Sequence, residues 1–368
     1  MSAIDEIKDR IDIVDLVSET VRLRRTGKNY IGFCPFHDNT RTPAFVVFPE
    51  TNTWRCFGCN EGGDIFRFVM KKEGWDFKQA VQFLAQKAGV VLTQPTAEEK
   101  ERDEEYDRLR TLLDEAVIFY HHHLTQNPAG LYALEYLHKR GLKDETIQSF
   151  SLGYALDSWN ACINHFIAKG YTIDDLKSAG LVTERQNEEG VYDRFRNRLM
   201  FPIYDNSGKI TGFGARTLDP EGIPKYLNSP QSGLFDKGKT LYGLHLAKKE
   251  IRAKDQVVIV EGYMDVIGLH QAGFQNTVSP MGTALTEDQL RQLKRLTRRI
   301  ILAMDADAAG ERATIRGLEL ARQTLEHQQE MVFDARGLLR YEVRLQADLR
   351  VTTLPEGKDP DEIVLENP

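Results

Sequence analysis

Sulfur is scarce in this chain: there are four cysteines among 368 residues, and three of them fall between positions 34 and 59. So few thiols exclude a disulfide-built secreted scaffold, and their clustering favours a metal over a disulfide framework. Long hydrophobic runs are missing too. None reaches the roughly 18 residues that suggest a membrane span. The N-terminus MSAIDEIKDR puts charges where a signal peptide needs an apolar core, so a cytosolic protein without a membrane partner is expected. Neither sign of charge dominates. A formal charge of -7 and a pI of about 5.8 exclude a uniformly basic nucleic-acid coat but leave room for a local basic surface. At this length two or three domains, each with its own core, are expected.

The clustered thiols lie in CPFHDNTRTPAFVVFPETNTWRCFGC, residues 34 to 59. Cys34 and His37 are separated by two residues, as are Cys56 and Cys59, and eighteen residues lie between the pairs. Each pair fits its own tight turn, and AFVVF (44 to 48) and NTWRC (52 to 56) read as a hairpin joined near Pro49 to Thr51. Three thiolates and one imidazole fill a tetrahedral zinc and leave no place for water, so one structural Zn²⁺ is expected. Cys162, alone on an apolar helical pattern, reads as core. Phe45, Phe48, Trp54 and Phe57 interleave with Arg41 and Arg55, a mixture that could stack bases and hold phosphates, although for each ring alone the thin core of a small domain is the favoured reading. GGDIFRFVMKKEG and DFKQAVQFLAQKAG carry helical apolar spacing and close a first domain near residue 92.

TQPTAEEKERDEEYD (93 to 107), with seven acids against two bases, reads as a linker running into a solvated helix. Helical spacing continues to about Ser149, with breaks at NPAG and KRGLKD. His121 to His123 look like a metal tract, but three consecutive helical residues point in three directions and cannot jointly chelate. Residues 191 to 250 invert the global balance, with ten Lys and Arg against six Asp and Glu. VYDRFRNRLMFPIYDNSGKITGFGARTL reads as short strands with a turn at NSGK. Arg194, Arg196 and Arg198 recur at period two. On a strand they would share a face, as a row for a phosphate backbone or as a solvated face paired to local acids. Arg216, Lys225, Lys237 and Lys239, in loops with Tyr226 and Phe235, favour binding.

DQVVIVEGYMDVIGLHQAG reads as a buried parallel strand breaking at Glu261 into a helix, with Glu261 at the strand's carboxyl end. RRIILAMDADAAGERATIRG repeats the pattern and places Asp305 and Asp307 after a strand. Between them NTVSPMGTALTEDQL suggests a strand, a glycine turn and a helix whose Thr286 and Gln289 have capping-box spacing. PEGKDPDEIV adds Asp359 and Asp361 after the strand-like DLRVTTL. Acids after strands often merely cap the following helix. Several brought to one sheet edge repel unless a hard cation bridges them, and oxygen-only ligation suits Mg²⁺ or Mn²⁺ in phosphoryl transfer.

EGYMD, MDADAAG and GKDPDE together resemble the Toprim domain shared by topoisomerases and primases. With CPFH, CFGC, RFRNRLMFPI and KYLNSP in this order, nearly the whole chain is similar to bacterial replicative DNA primases. The resemblance implies an α/β protein, α+β overall. A zinc ribbon would cover 1 to 92, a linker 93 to 107 and an RNA polymerase domain 108 to 368, with a basic subdomain over about 108 to 245 and a parallel-sheet Toprim subdomain over about 250 to 368. It implies synthesis of short RNA primers on single-stranded DNA from ribonucleoside triphosphates. Glu261, Asp305, Asp307 and Asp359 would form the acidic magnesium centre, with Asp265 and Asp361 as further members. Arg194, Arg196, Arg198, Arg216, Lys225, Lys237 and Lys239 would line template and nucleotide surfaces. Family members continue into a helicase-binding C-terminal domain, and no segment matching it is expected among residues ending at Pro368. EHQQEMVFDARGLLRYEVRLQADLR (326 to 350) matches no motif. Two other readings remain open: strand cleavage on the same fold, for which no tyrosine is marked as nucleophile, and a zinc-ribbon DNA-binding regulator whose acids only cap helices.

Overall fold

Local signals start and stop the N-terminal helices. α1 (Ala3–Arg10) is followed by α2 (Ile13–Ser18), whose cap Asp12 accepts the backbone N–H groups of Val14 and Asp15. Strands β1 (Arg24–Thr26), β2 (Asn29–Gly32), β3 (Phe45–Phe48), β4 (Thr53–Cys56) and β5 (Gly62–Gly63) form one antiparallel sheet in sequence order. α3 (Ile65–Glu73) and α4 (Phe77–Ala88) begin at caps Asp64 and Asp76 and end at left-handed Gly74 and Gly89. This computed structural model describes residues 3–38, 42–92, 97–185, 189–281, 285–304, 317, 319, 327–333, 339–345, 348–352, 360, 363 and 364, with backbone alone for 97–99, 327–333 and 339–345. Two compact units divide the chain, residues 1–100 and 101–368.

The core of the first unit is aromatic. Phe45 stacks on Trp54 at 5.1 Å between centroids, and Phe36 and Phe68 meet Trp54 at 5.1 and 6.0 Å. Of the rings that could serve as core or as base platform, Phe45 and Trp54 are core, Phe48 is half-buried and Phe57 is exposed with the Arg55 guanidinium 5.5 Å from its centroid. Arg41 lies outside the described residues.

In the second unit α5 (Ala97–Thr125) buries Leu109, Leu112, Leu113, Ala116, Tyr120 and Leu124, spaced by helical turns, while residues 100 to 105 face solvent. α6 (Leu131–Lys139), α7 (Asp144–Ser149), α8 (Ala161–Ala168) and α9 (Ile173–Ser178) follow, with β6 (Gly153–Ala155) between α7 and α8. Cys162 on α8 is buried. Histidines 121 to 123 do not converge: His121 Nδ1 meets the Leu152 carbonyl, and His123 Nδ1 meets the Asn127 amide.

β7 (Val182–Glu184) pairs with β8 (Val191–Asp193). β9 (Arg198–Tyr204), β10 (Ile210–Thr217) and β11 (Tyr226–Asn228) join β6 in an antiparallel sheet of order β11-β10-β9-β6. α10 (Leu244–Lys254) leads to a parallel sheet of order β13-β12-β14-β17, built from β12 (Val257–Ile259), β13 (Thr277–Val278), β14 (Arg299–Leu302) and β17 (Asp348–Val351). α11 (Tyr263–Gln271) and α12 (Glu287–Lys294) connect its strands, and α12 starts with the expected capping box of Thr286 and Gln289. The unmatched stretch after residue 326 forms a hairpin of β15 (His327–Phe333) and β16 (Leu339–Leu345). Among the described residues no helix is long and apolar enough to cross a membrane.

At the ribbon hairpin, Asn52 takes a left-handed backbone with φ 51°. Its side chain accepts from Ile13 N (3.0 Å) and donates to Lys8 O (3.0 Å) and Ile11 O (3.2 Å), tying the turn to the N-terminal helices. Asn52→Gly keeps the backbone available but deletes three hydrogen bonds, at a cost of about 2–3 kcal/mol. Amide hydrogen exchange at residues 7 to 13 should therefore accelerate while exchange in the second unit stays unchanged.

Candidate metal centre and active site

The turns that carry the ribbon's thiols are built to hold them. Phe36 N donates to Cys34 Sγ (3.4 Å) and Gly58 N to Cys56 Sγ (3.3 Å), so each pair bends its backbone around the first sulfur. Cys34 Sγ lies 3.9 Å from Cys59 Sγ, Cys56 Sγ lies 3.8 Å from His37 Nδ1, and all four ligand atoms fall within 4.8 Å of one another. A tetrahedral zinc with Zn–S bonds near 2.3 Å separates its sulfurs by about 3.8 Å, so the four side chains fit the ion. Gly58 makes room for the imidazole: a Cβ there would lie 2.7 Å from His37 Nε2. This is the only cluster of three or more His, Cys, Asp or Glu able to hold a metal among the described residues.

In the second unit β12 delivers Glu261 two residues past its end, and Gly262 opens α11. Asp265 is buried and accepts the Gly262 N–H at 2.9 Å, so it caps the helix as well as facing the cavity. The cavity holds about 300 Å³ and is lined by Arg140, Arg216, Lys225, Tyr226, Asn228, Glu261, Gly262, Tyr263, Met264, Asp265 and Met281. Arg216 of β10 is flanked by the rings of Tyr136 and Tyr226, 5.0 and 5.9 Å from its guanidinium, and its Nη1 is buried without a hydrogen-bond partner among the described residues. Cations and carboxylates thus share one concave wall, an arrangement that can hold an anion and a hard cation side by side.

Parallel pairing sets β14 level with β12, and the Ala303 N–H donates to Ile259 O at 2.8 Å. Asp305, Asp307, Asp359 and Asp361 lie outside the described residues.

The strand expected through Arg194, Arg196 and Arg198 is not formed. β9 begins at Arg198, and Asn197, with φ 47°, breaks the extended run. The three guanidinium groups bind main chain instead: Arg194 to Asn228 O (2.8 Å), Arg196 to Asp193 O (2.6 Å) and Arg198 to Pro224 O (2.9 Å). They nevertheless line one cavity of about 440 Å³ together with Asp157, Tyr192 and Thr217. Burial pulls the pKa of Arg194 and Arg198 below the usual arginine value. Arg196 lies 4.1 Å from the ring centroid of the exposed Trp159 and 4.9 Å from that of Tyr192.

Asp193 organises this corner. Its carboxylate accepts Cys162 N and Ile163 N at the start of α8, its N–H donates to Trp159 O, and its carbonyl holds Arg196.

Two expectations for the basic loops change. Phe235 is a buried core residue and offers no exposed ring. Lys237 and Lys239 do not line either cavity. Their carbonyls accept from Gln289 and Gln292 of α12, and Lys239 also pairs with Asp236 at 3.5 Å. Asn228 belongs to the KYLNSP stretch but was not singled out as a site residue, and Arg140 and Trp159 carry no motif signal: both are brought in only by the fold.

Cys56→Ser should reduce bound zinc from one equivalent to none, read by atomic emission, and loosen residues 30 to 60 while the second unit stays folded. Gly58→Ala should retain the four ligands yet weaken zinc retention against a chelator, because the added methyl displaces His37.

Three family models match along the chain: the CHC2 zinc finger over residues 1–100, the DNA primase catalytic core N-terminal domain over 119–248, and the Toprim domain over 255–332. A DNA primase of Clostridium acetobutylicum is 41% identical over 365 residues, covering 99% of this chain and 56% of that protein. The Halalkalibacterium halodurans DNA primase is 38% identical over 361 residues, covering 98% and 56%. The chain thus spans a little over half the length of these curated relatives. Among solved structures, the zinc-binding and RNA polymerase domains of the Aquifex aeolicus primase match with TM-score 0.61 and 32% identity over 100% of this chain and 83% of that one. A DnaG primase catalytic domain bound to ssDNA matches with TM-score 0.61 and 35% identity over 72% and 79%. The zinc-finger, primase-core and Toprim models match in this order, the curated relatives are 38 to 41% identical over nearly every residue, and the Aquifex structure is covered to 83%: the chain belongs to the bacterial DNA primase family.

Proposed function

We propose that this chain synthesises short RNA primers on single-stranded DNA by template-directed nucleotidyl transfer, with ribonucleoside triphosphates as substrates. The observation that carries the reading is the 300 Å³ cavity in which Glu261 and Asp265 share a wall with Arg140, Arg216 and Lys225. Membership of the family and the Toprim match support it. The buried, partnerless Nη1 of Arg216 suits a phosphate oxygen. Oxygen donors on the same wall suit Mg²⁺ or Mn²⁺, and we add Asp305, Asp307, Asp359 and Asp361 to them because they follow β14 and β17 in sequence.

An ion held there would supply Lewis acidity for attack of a ribose 3′-hydroxyl on the α-phosphate, in which the hydroxyl loses its proton, the new 3′–5′ phosphodiester forms, and the α–β phosphoanhydride bond breaks to release pyrophosphate. Glu261 holds charge at the mouth of β12 and orients the reacting oxygen. Arg216, Arg140 and Lys225 neutralise the triphosphate as charge builds on its oxygens. Gly262 N–H keeps the Asp265 carboxylate turned to the helix start, so the acid wall is set before substrate arrives. The template runs, in this reading, past Arg194, Arg196 and Trp159, where an exposed indole backed by guanidinium offers a base a stacking platform beside phosphate donors. The ssDNA-bound relative supports that substrate class. In the full-length protein a replicative helicase is the expected partner.

A primer-synthesis assay with single-stranded template, labelled ribonucleotides and Mg²⁺ tests the reading. Labelled short RNA is expected; nicked DNA would mark a nuclease, and shifted but unchanged DNA a binding regulator. Asp305→Asn and Asp307→Asn should each cut primer yield by about a hundredfold or more with template affinity kept, since a metal-binding charge is lost and shape is retained. Asn is itself a good helix cap, so near-normal yield from both would reject the metal role.

Salt dependence separates the two basic sites. Arg194→Ala and Arg196→Ala should each flatten the log-log salt slope of oligonucleotide binding by about 0.7, about equally for different sequences. Arg216→Ala and Lys225→Ala should instead raise the nucleotide concentration needed for synthesis and leave that slope unchanged. Unchanged slopes in the first pair would move the template elsewhere.

A further inference from the structure

Tyr263, the first residue of α11, has no part in the chemistry above, yet it is buried and stands between the acidic strand end and the basic sheet. Its ring lies parallel to Phe201 of β9 at 4.9 Å and 7°, and edge-on to Tyr242 at 4.7 Å. Gly214 of β10 opens the space it fills: a Cβ there would come 2.3 Å from Tyr263 Cζ and Oη. The hydroxyl passes this gap and donates to Asn228 Oδ1 at 2.7 Å.

Asn228 sits opposite Gly214 on β11, and Arg194 binds its main-chain carbonyl, so its backbone is held from one side and its side chain from the other. Tyr263 is the hydrogen-bond partner of that side chain among the described residues. With Oδ1 engaged, the amide of this cavity-lining residue is turned so that Nδ2 is the group left to donate.

We propose that Tyr263 is a positioning residue acting through Asn228: its hydroxyl fixes the amide so that Nδ2 donates to an acceptor atom of the incoming nucleotide beside Glu261 and Asp265. The proposal rests on the nucleotidyl-transfer reading of that cavity. Gly214 is part of the device, since a methyl there expels the phenol.

Tyr263→Phe retains the stacked ring and removes the hydroxyl. It should lower the thermal midpoint by only a few degrees, leave oligonucleotide affinity unchanged and raise the nucleotide KM about tenfold, roughly one hydrogen bond, with the loss falling on KM rather than kcat. Asn228→Asp, which still accepts from Tyr263 but cannot donate onward, should weaken nucleotide binding at least as much. The double variant Tyr263→Phe/Asn228→Ala should match Asn228→Ala alone, because the tyrosine acts only through the asparagine. An unchanged KM in Tyr263→Phe, additive losses in the double variant, or a loss confined to oligonucleotide binding would each overturn the assignment. Calorimetric titration with ATP and Mg²⁺ reads the same contact without synthesis. A wild-type chain that makes no primer, with ATP affinity still falling in Tyr263→Phe, would reject the proposed reaction and uphold the contact. A primer-making wild type with Tyr263→Phe normal in both measurements would reject the contact alone.

Discussion

Val257 lies opposite Ile300 and Ile259 opposite Leu302, and this parallel register decides where the chemistry of the second unit can sit. Parallel strands end at the same edge of their sheet, so residues dozens of positions apart in sequence are delivered side by side. Moving the register by one residue would turn buried valines and isoleucines to the wrong face, so the hydrophobic pattern that builds the sheet also aligns its ends. The burial that fixes β12 also fixes where Glu261, two residues past its end, must lie. Arg216, on the same cavity wall, comes from a separate antiparallel sheet, and Phe201 of that sheet joins Tyr242 and Tyr263 in one apolar cluster.

Some of this was legible because it is local. Four metal ligands within 26 residues, with the turns and hairpin that carry them, leave little for distant packing to decide. Continuous apolar runs ending in Gly or Asp marked the parallel strands for a similar reason, since Val258 and Ile301 stay half-buried between the fully buried Val257, Ile259, Ile300 and Leu302. The arginine row shows where local reading fails. Spacing of two is also what a tight bend produces, and Asn197, able to adopt a left-handed backbone, is the residue that turns the one into the other. Arg140 and Trp159 were silent because nothing near them in sequence reports what they face. Phe235 looked like a loop ring because glycines surround it, but the loop folds it inward.

The guanidinium groups of the larger cavity are already ordered by main-chain carbonyls before any ligand arrives. A flexible arginine gives up rotamer freedom when it binds a phosphate, and here much of that entropy is surrendered on folding instead. Each guanidinium keeps further N–H groups for a ligand, since five donors exceed what one or two carbonyls can occupy.

Asp193 gives these couplings a longer reach. One buried residue starts α8 through its carboxylate, tethers Trp159 through its N–H and anchors Arg196 through its carbonyl. Main-chain groups cannot be altered by substitution, whereas the carboxylate can. A replacement that loosens the start of α8 acts on the same residue that holds the Trp159 carbonyl and the Arg196 guanidinium, so the helix start and this corner share one anchor.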